Sequence, residues 1–266
     1  MASFFMEQRE NAMKRYSVIC LLVLMLALSL AACVTQKQIA DQQRAAAIRD
    51  LGEAYMGQGA HTRALREFLK ADSIYSNDPY LQNDLGLAYM AKGNLELAVE
   101  HFKKALDLNP EYSPARNNLG SAYIEQENWE AAIECFKIVK DDLLYGTPQY
   151  PMSNLGFVYY KQGDYEQAIY YYAEAQDIAP NFPMAYHGMG LTYMAMGDSE
   201  KAVEVLETAV EKAPNAVPIY IDLGKAYKML HENNKAYETF KKAAEMTEDS
   251  KLKKEAEAEA EKVWKR

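Results

Sequence analysis

Four histidines and three cysteines are the residues of this chain best suited to metal or nucleophilic chemistry. His61, His101, His187 and His231 are scattered, and no two have the short spacing that puts ligands on one metal. No phosphate-cradling Gly-rich loop, dinucleotide fingerprint, HExxH or GxSxG occurs. Carboxylates are abundant but spread along polar stretches. Cys20 lies inside an N-terminal apolar run, Cys33 at its end, and Cys135 beside Phe136 in the body. A single body thiol cannot form an internal disulfide even in an oxidising compartment, and its apolar surroundings suit a packed thiol. The reading is of a chain that is not an enzyme, with no catalytic residues, no metal, no cofactor and no small-molecule substrate.

Cys33 has a different chemistry available. Lys14 and Arg15 precede an apolar run from Val18 to Ala32, broken only by Ser29. Such a run is shorter than the ~20 residues that span a bilayer, and with its basic flank it reads as a secretory signal. The natural signal begins at Met13, so the true start is Met1 or Met13. Leu30-Ala31-Ala32-Cys33 resembles a bacterial lipobox. That resemblance implies cleavage before Cys33, a diacylglycerol on its thiol and acylation of the new N-terminus. Several acyl chains anchor stably where one holds weakly. Val34, where an Asp would retain the protein at the inner membrane, implies export to the outer membrane with the body in the periplasm. The expected division is a signal peptide over 1–32, a lipidated Cys and polar tether over 33–44, a repeat body over 45–249 and a capping helix over 250–266.

The elements of the body come from one unit used six times. Leu-Gly followed three residues later by Tyr recurs at Leu51, Leu85, Leu119, Leu155 and Leu223, with Met189 replacing Leu once. Successive starts lie 34, 34, 36, 34 and 34 residues apart. Each is followed by an Ala and, four residues on, an aromatic or Leu: Ala64-Phe68, Ala98-Phe102, Ala132-Phe136, Ala168-Tyr172, Ala202-Leu206 and Ala236-Phe240. Spacings of one, three and four place each set on one helix face. Gly and Ala permit two helices to approach, and the aromatics fill the space between them. Gly59, Gly93, Gly163 and Gly197 fall where a left-handed residue would end the first helix. Pro110, Pro180 and Pro214 close the second. Leu252, Ala256, Ala260 and Val263 recur at helical spacing in the cap.

This pattern resembles the tetratricopeptide repeat. The resemblance implies an all-α, right-handed superhelical solenoid of six helix-turn-helix repeats whose first helices line a concave groove. Carrying groove positions across gives Tyr80, Asn83 and Leu87, then Asn117, then Tyr150, Phe157 and Tyr160, then His187. That lining lacks the Lys and Arg set that grips a C-terminal carboxylate. It suits an amphipathic helix or extended segment of a protein partner, with Asn83 and Asn117 able to bond its backbone, although neighbouring helices could absorb about half of these side chains. Net charge is −9 and no basic stripe stands out, which argues against nucleic acid.

The Cys-Val-Thr lipobox end, the six repeats, and a lengthened linker with Leu-Tyr before Asn154-Leu155-Gly156 resemble the type IV pilus lipoproteins of the PilF/PilW/Tgl family. That family implies a lipid-anchored outer-membrane protein that brings secretin subunits to the outer membrane and promotes their multimerisation. The alternative is a general periplasmic adaptor lipoprotein for cell-wall hydrolases or outer-membrane protein assembly.

Overall fold

A computed structural model describes Met25 and residues 35–264, and every described element is helical. Cys33 and, Met25 apart, the expected signal segment lie outside the described residues. The first helix, α1, runs over 35–57. The polar stretch expected as a tether is therefore helical from residue 35, and it continues without a break into the repeat body. Residues 35–44 contain no Gly or Pro, and four of the ten are Gln, which favours the helix. Its first buried side chain is Ala45, 2% exposed, where the repeats were expected to begin. No described helix is long and apolar enough to cross a membrane.

The chain divides into two compact units, Met1–Asn94 and Leu95–Arg266. The first holds α1, α2 (His61–Asp72) and α3 (Pro79–Ala91). Its core gathers Ala45, Ala64, Phe68, Ala71, Leu81, Leu85 and Ala88. The second holds α4 (Leu95–Leu108), α5 (Ser113–Glu125), α6 (Trp129–Lys140), α7 (Gln149–Gln162), α8 (Tyr165–Ile178), α9 (Pro183–Met196), α10 (Ser199–Lys212), α11 (Val217–Met229), α12 (Asn233–Glu245) and α13 (Ser250–Trp264). There each helix packs on the next, and α5, α7, α9, α11 and α13 also touch one another in series. The result is the stacked hairpin arrangement of a tetratricopeptide solenoid.

The repeat residues explain the hairpins. Phe68, Phe102, Phe136, Leu206 and Phe240 are fully buried, and Tyr172 is 3% exposed. Each such burial contributes about 1.5–3 kcal/mol. Glycine opposite is a requirement of space: a Cβ on Gly156 would sit 2.8 Å from the Tyr172 ring, and one on Gly224 2.6 Å from Phe240. The turns between paired helices need a left-handed residue. Gly59, Gly93, Gly163 and Gly197 supply it at φ of 70–80°, but Glu127 (56°) and His231 (62°) hold the same position in the third and sixth repeats. Asn128, Asp164 and Asp198 then cap the second helices by accepting the backbone N–H three residues on.

α13 covers the last hairpin through Ala256, Ala260 and Val263. The Asp249 side chain starts it, accepting the N–H groups of Lys251 at 2.8 Å and Leu252 at 3.1 Å. At the positions where the repeats place Leu and Tyr, α13 carries exposed Glu257 and Glu261, so its outer face is charged as a terminal cap requires.

Candidate functional site

The first helices of the repeats carry the expected binding positions, and each unit positions its own set. In the first unit, Tyr80 follows Asp78, whose carboxylate caps α3 through the Tyr80 N–H at 2.9 Å. Tyr80 is 51% exposed, with the Arg49 guanidinium 5.6 Å from its ring centroid. Leu87 is half-buried. Asn83 is only 5% exposed, so its amide is enclosed in the fold.

Arg49 on α1 organises the rest of that face. It donates to Glu53 at 3.1 Å and to Asp78 at 3.0 Å, and lies 3.7 Å from Asp84. With Asp50 also at 3.7 Å, one guanidinium faces four carboxylates. Burial, and then the neighbouring Glu53 charge, push the Asp84 carboxyl up to about 7 against the opposing pull of Arg49.

In the second unit, α5, α7, α9, α11 and α13 lie side by side. Asn117 on α5 is half-buried. Tyr150, Phe157 and Tyr160 all sit on α7, and each also packs locally. Tyr150 is 43% exposed and meets Phe182 edge-on at 5.1 Å. Phe157 and Tyr160 are half-buried against the core cluster. The Lys161 ammonium lies 5.4 Å from the Phe157 ring centroid, and Tyr160 leans towards Tyr165 at 6.2 Å. The accessible apolar area of this helix is therefore centred on Tyr150 and the outer side of Phe157.

His187 on α9 is engaged within the fold. Its Nε2 lies 2.9 Å from an Asp222 carboxylate oxygen on α11. Lys225 donates to Asp222 and, across to α13, to Glu255, both at 3.1 Å. Burial opposes ionisation of Asp222, but the His187 and Lys225 hydrogen bonds and charges outweigh it and hold the carboxyl below its ordinary range. His187 and Asp222 stand 35 residues apart, and so do Arg49 and Asp84: with a 34-residue period, each acid sits one position beyond the equivalent of its basic partner, on the neighbouring first helix.

Sequence reading placed His187 on this face and missed Asp222, Lys225 and Glu255. The 35-residue offset from one repeat position to its neighbour in the next was the available signal. Cys135 is 7% exposed, and burial pushes its thiol up to about 11, so it stays protonated and packed. Among the described residues, no group of three or more His, Cys, Asp or Glu could hold a metal ion.

Sequence models described as tetratricopeptide repeat match residues 86–127, 115–144 and 159–220. Among solved structures, PilF of Pseudomonas aeruginosa is similar at 20% identity and a TM-score of 0.69, over 83% of this chain and 99% of that one. PilW, a type IV pilus biogenesis factor, is similar at 20% identity and a TM-score of 0.73, over 80% and 97% of the two chains. MamA is 29% identical with a TM-score of 0.53, over 61% and 94%. No curated protein matches the sequence. The body is built of tetratricopeptide repeats and has the fold of the PilF and PilW proteins. Such repeats form a scaffold for protein–protein interaction.

Proposed function

We propose that this protein is an outer-membrane lipoprotein whose repeat body binds the type IV pilus secretin subunit and promotes its assembly into the multimeric pore. The observation that carries the reading is the likeness to PilF and PilW over 99% and 97% of their lengths, on a chain that also has a lipobox at Cys33.

The mechanism is one of capture and delivery. Tyr150 and Phe157 shield an apolar segment of the secretin monomer. Paired residues such as His187 and Asp222 keep neighbouring first helices in register beneath it. The acyl chains on Cys33 hold the complex at the outer membrane until the secretin inserts.

The test is deletion of the gene in its host, followed by a secretin blot of outer membranes run unheated. Loss of the high-mass multimer with monomer retained is the expected result. An unchanged multimer would reject the role in secretin assembly and favour an adaptor for cell-wall hydrolases or outer-membrane protein assembly.

A further inference from the structure

Between α6 and α7 the chain makes a feature that the repeat does not need. The period is two residues longer there, and Leu143 and Leu144 stand 97% and 94% exposed. No other large apolar side chain among the described residues exceeds 73%. The leucines are held in a defined turn: the Tyr145 N–H bonds the Asp142 carbonyl at 3.2 Å, which makes Leu143 and Leu144 its two central residues. The Asp142 carboxylate accepts the Leu144 N–H at 2.9 Å and the Ser113 hydroxyl at 2.5 Å, fastening the turn to the start of α5. Central turn positions ordinarily take Pro, Gly, Asn or Asp. Two leucines there serve no local backbone need and bury nothing, which marks a position shaped by something outside the folded chain.

We propose that the Leu143–Leu144 turn is a second docking point for the partner protein, inserting both side chains into an apolar pocket rimmed by Lys or Arg. This rests on the partner-binding reading above. The charge around the turn selects the occupant. Asp141 and Asp142 directly precede the leucines; Asp141 is paired with Lys140 at 2.9 Å, which leaves Asp142 as the net charge of the turn. A loop entering lipid headgroups carries Lys, Arg or Trp instead, and an acidic knob on a chain of net charge −9 repels a second copy. The turn also leads directly into α7, where the exposed Tyr150 begins the face assigned to the partner.

Two measurements on the full-length chain test this. Photoreactive p-benzoylphenylalanine is placed at position 144 in the host, with exposed Glu238 on α12 as the control position, and the adducts are identified by mass. In parallel, the purified Leu143→Ser/Leu144→Ser variant is titrated with the secretin subunit. The expected results are a light-dependent secretin adduct from 144 and not from 238, and secretin binding at least tenfold weaker with unchanged helical content. If the adduct is another protein, and that purified protein binds the double variant at least tenfold more weakly, the docking point stands and the secretin reading falls. A phospholipid adduct, an adduct with a second copy, or no adduct overturns the proposal. So does unchanged affinity of the double variant for whichever protein the adduct contains.

Discussion

Replacing Gly224 by Ala tests the close helix approach on which every hairpin depends. A Cβ at this position would meet three Phe240 ring carbons at 2.6, 2.7 and 2.9 Å. Carbon–carbon contacts are comfortable at about 3.5–4.0 Å, so the ring or the helix must move by about 1 Å. Phe240 is fully buried in a cluster with Ala236 and Ala243 and has no free side to move into. Overpacking of this kind costs about 1–3 kcal/mol, against about 1 kcal/mol gained when Ala replaces Gly in a helix. Gly57 in α1 is the control, since a Cβ there meets nothing within 4 Å. Both changes gain helix propensity, so the difference between them isolates the clash at about 1–3 kcal/mol. At about 2–4 °C per kcal/mol for a body of this size, a 2 kcal/mol difference separates the two melting curves by about 4–8 °C, with Gly224→Ala below wild type. Thermal melts followed by circular dichroism at 222 nm make the measurement. Coincident melts of the two variants would show that the hairpin tolerates a wider spacing, and the packing argument would fail.

Other perturbations probe turns, electrostatics and binding. Glu127→Gly and His231→Gly relieve left-handed residues that cost about 1–2 kcal/mol. The extra freedom of glycine in the unfolded chain offsets part of that, so each should raise stability by about 0.5–1 kcal/mol in denaturant titrations; a loss would show that the side chains contribute more than the backbone strain. Asp84 has its carboxyl raised to about 7 in the folded state, so its protonated form favours the fold, and that contribution fades as pH rises from the ordinary carboxylate range through 7. Asp84→Asn should therefore stabilise the protein relative to wild type at pH 8 and make little difference at pH 4; a pH-independent difference would refute the assignment. Tyr150→Asp with Phe157→Asp should abolish secretin capture in a pull-down while leaving helical content intact, and unchanged capture would remove the α7 face from the binding site. Cys33→Ser should abolish incorporation of labelled palmitate and remove the protein from the outer-membrane fraction, and a variant that still takes up the label would exclude that thiol as the attachment site.

The repeat body was legible from the chain alone, because the information is local and repeated. Leu-Gly-x-x-Tyr and Ala-x-x-x-Phe state helix faces, a close approach and a partner for it, and six copies in phase leave one arrangement that buries them all. The prolines and four of the six turns followed in the same way, since Gly59, Gly93, Gly163 and Gly197 announce a left-handed residue. Glu127 and His231 did not, because a left-handed backbone imposed by the hairpin overrides what those residues prefer.

The binding face was legible only as a set of positions. Register shows that Asn83 and His187 fall on first helices, but not that Asn83 is enclosed or that Asp222 is already bonded to His187. Those outcomes depend on distances between helices 35 residues apart in sequence. The exposure of Leu143 and Leu144 is likewise a tertiary result: no spacing in the sequence tells whether two leucines between helices face inwards or outwards. Only the Asp142 contact with Ser113, which ties the turn to a helix about thirty residues earlier, decides that they face outwards.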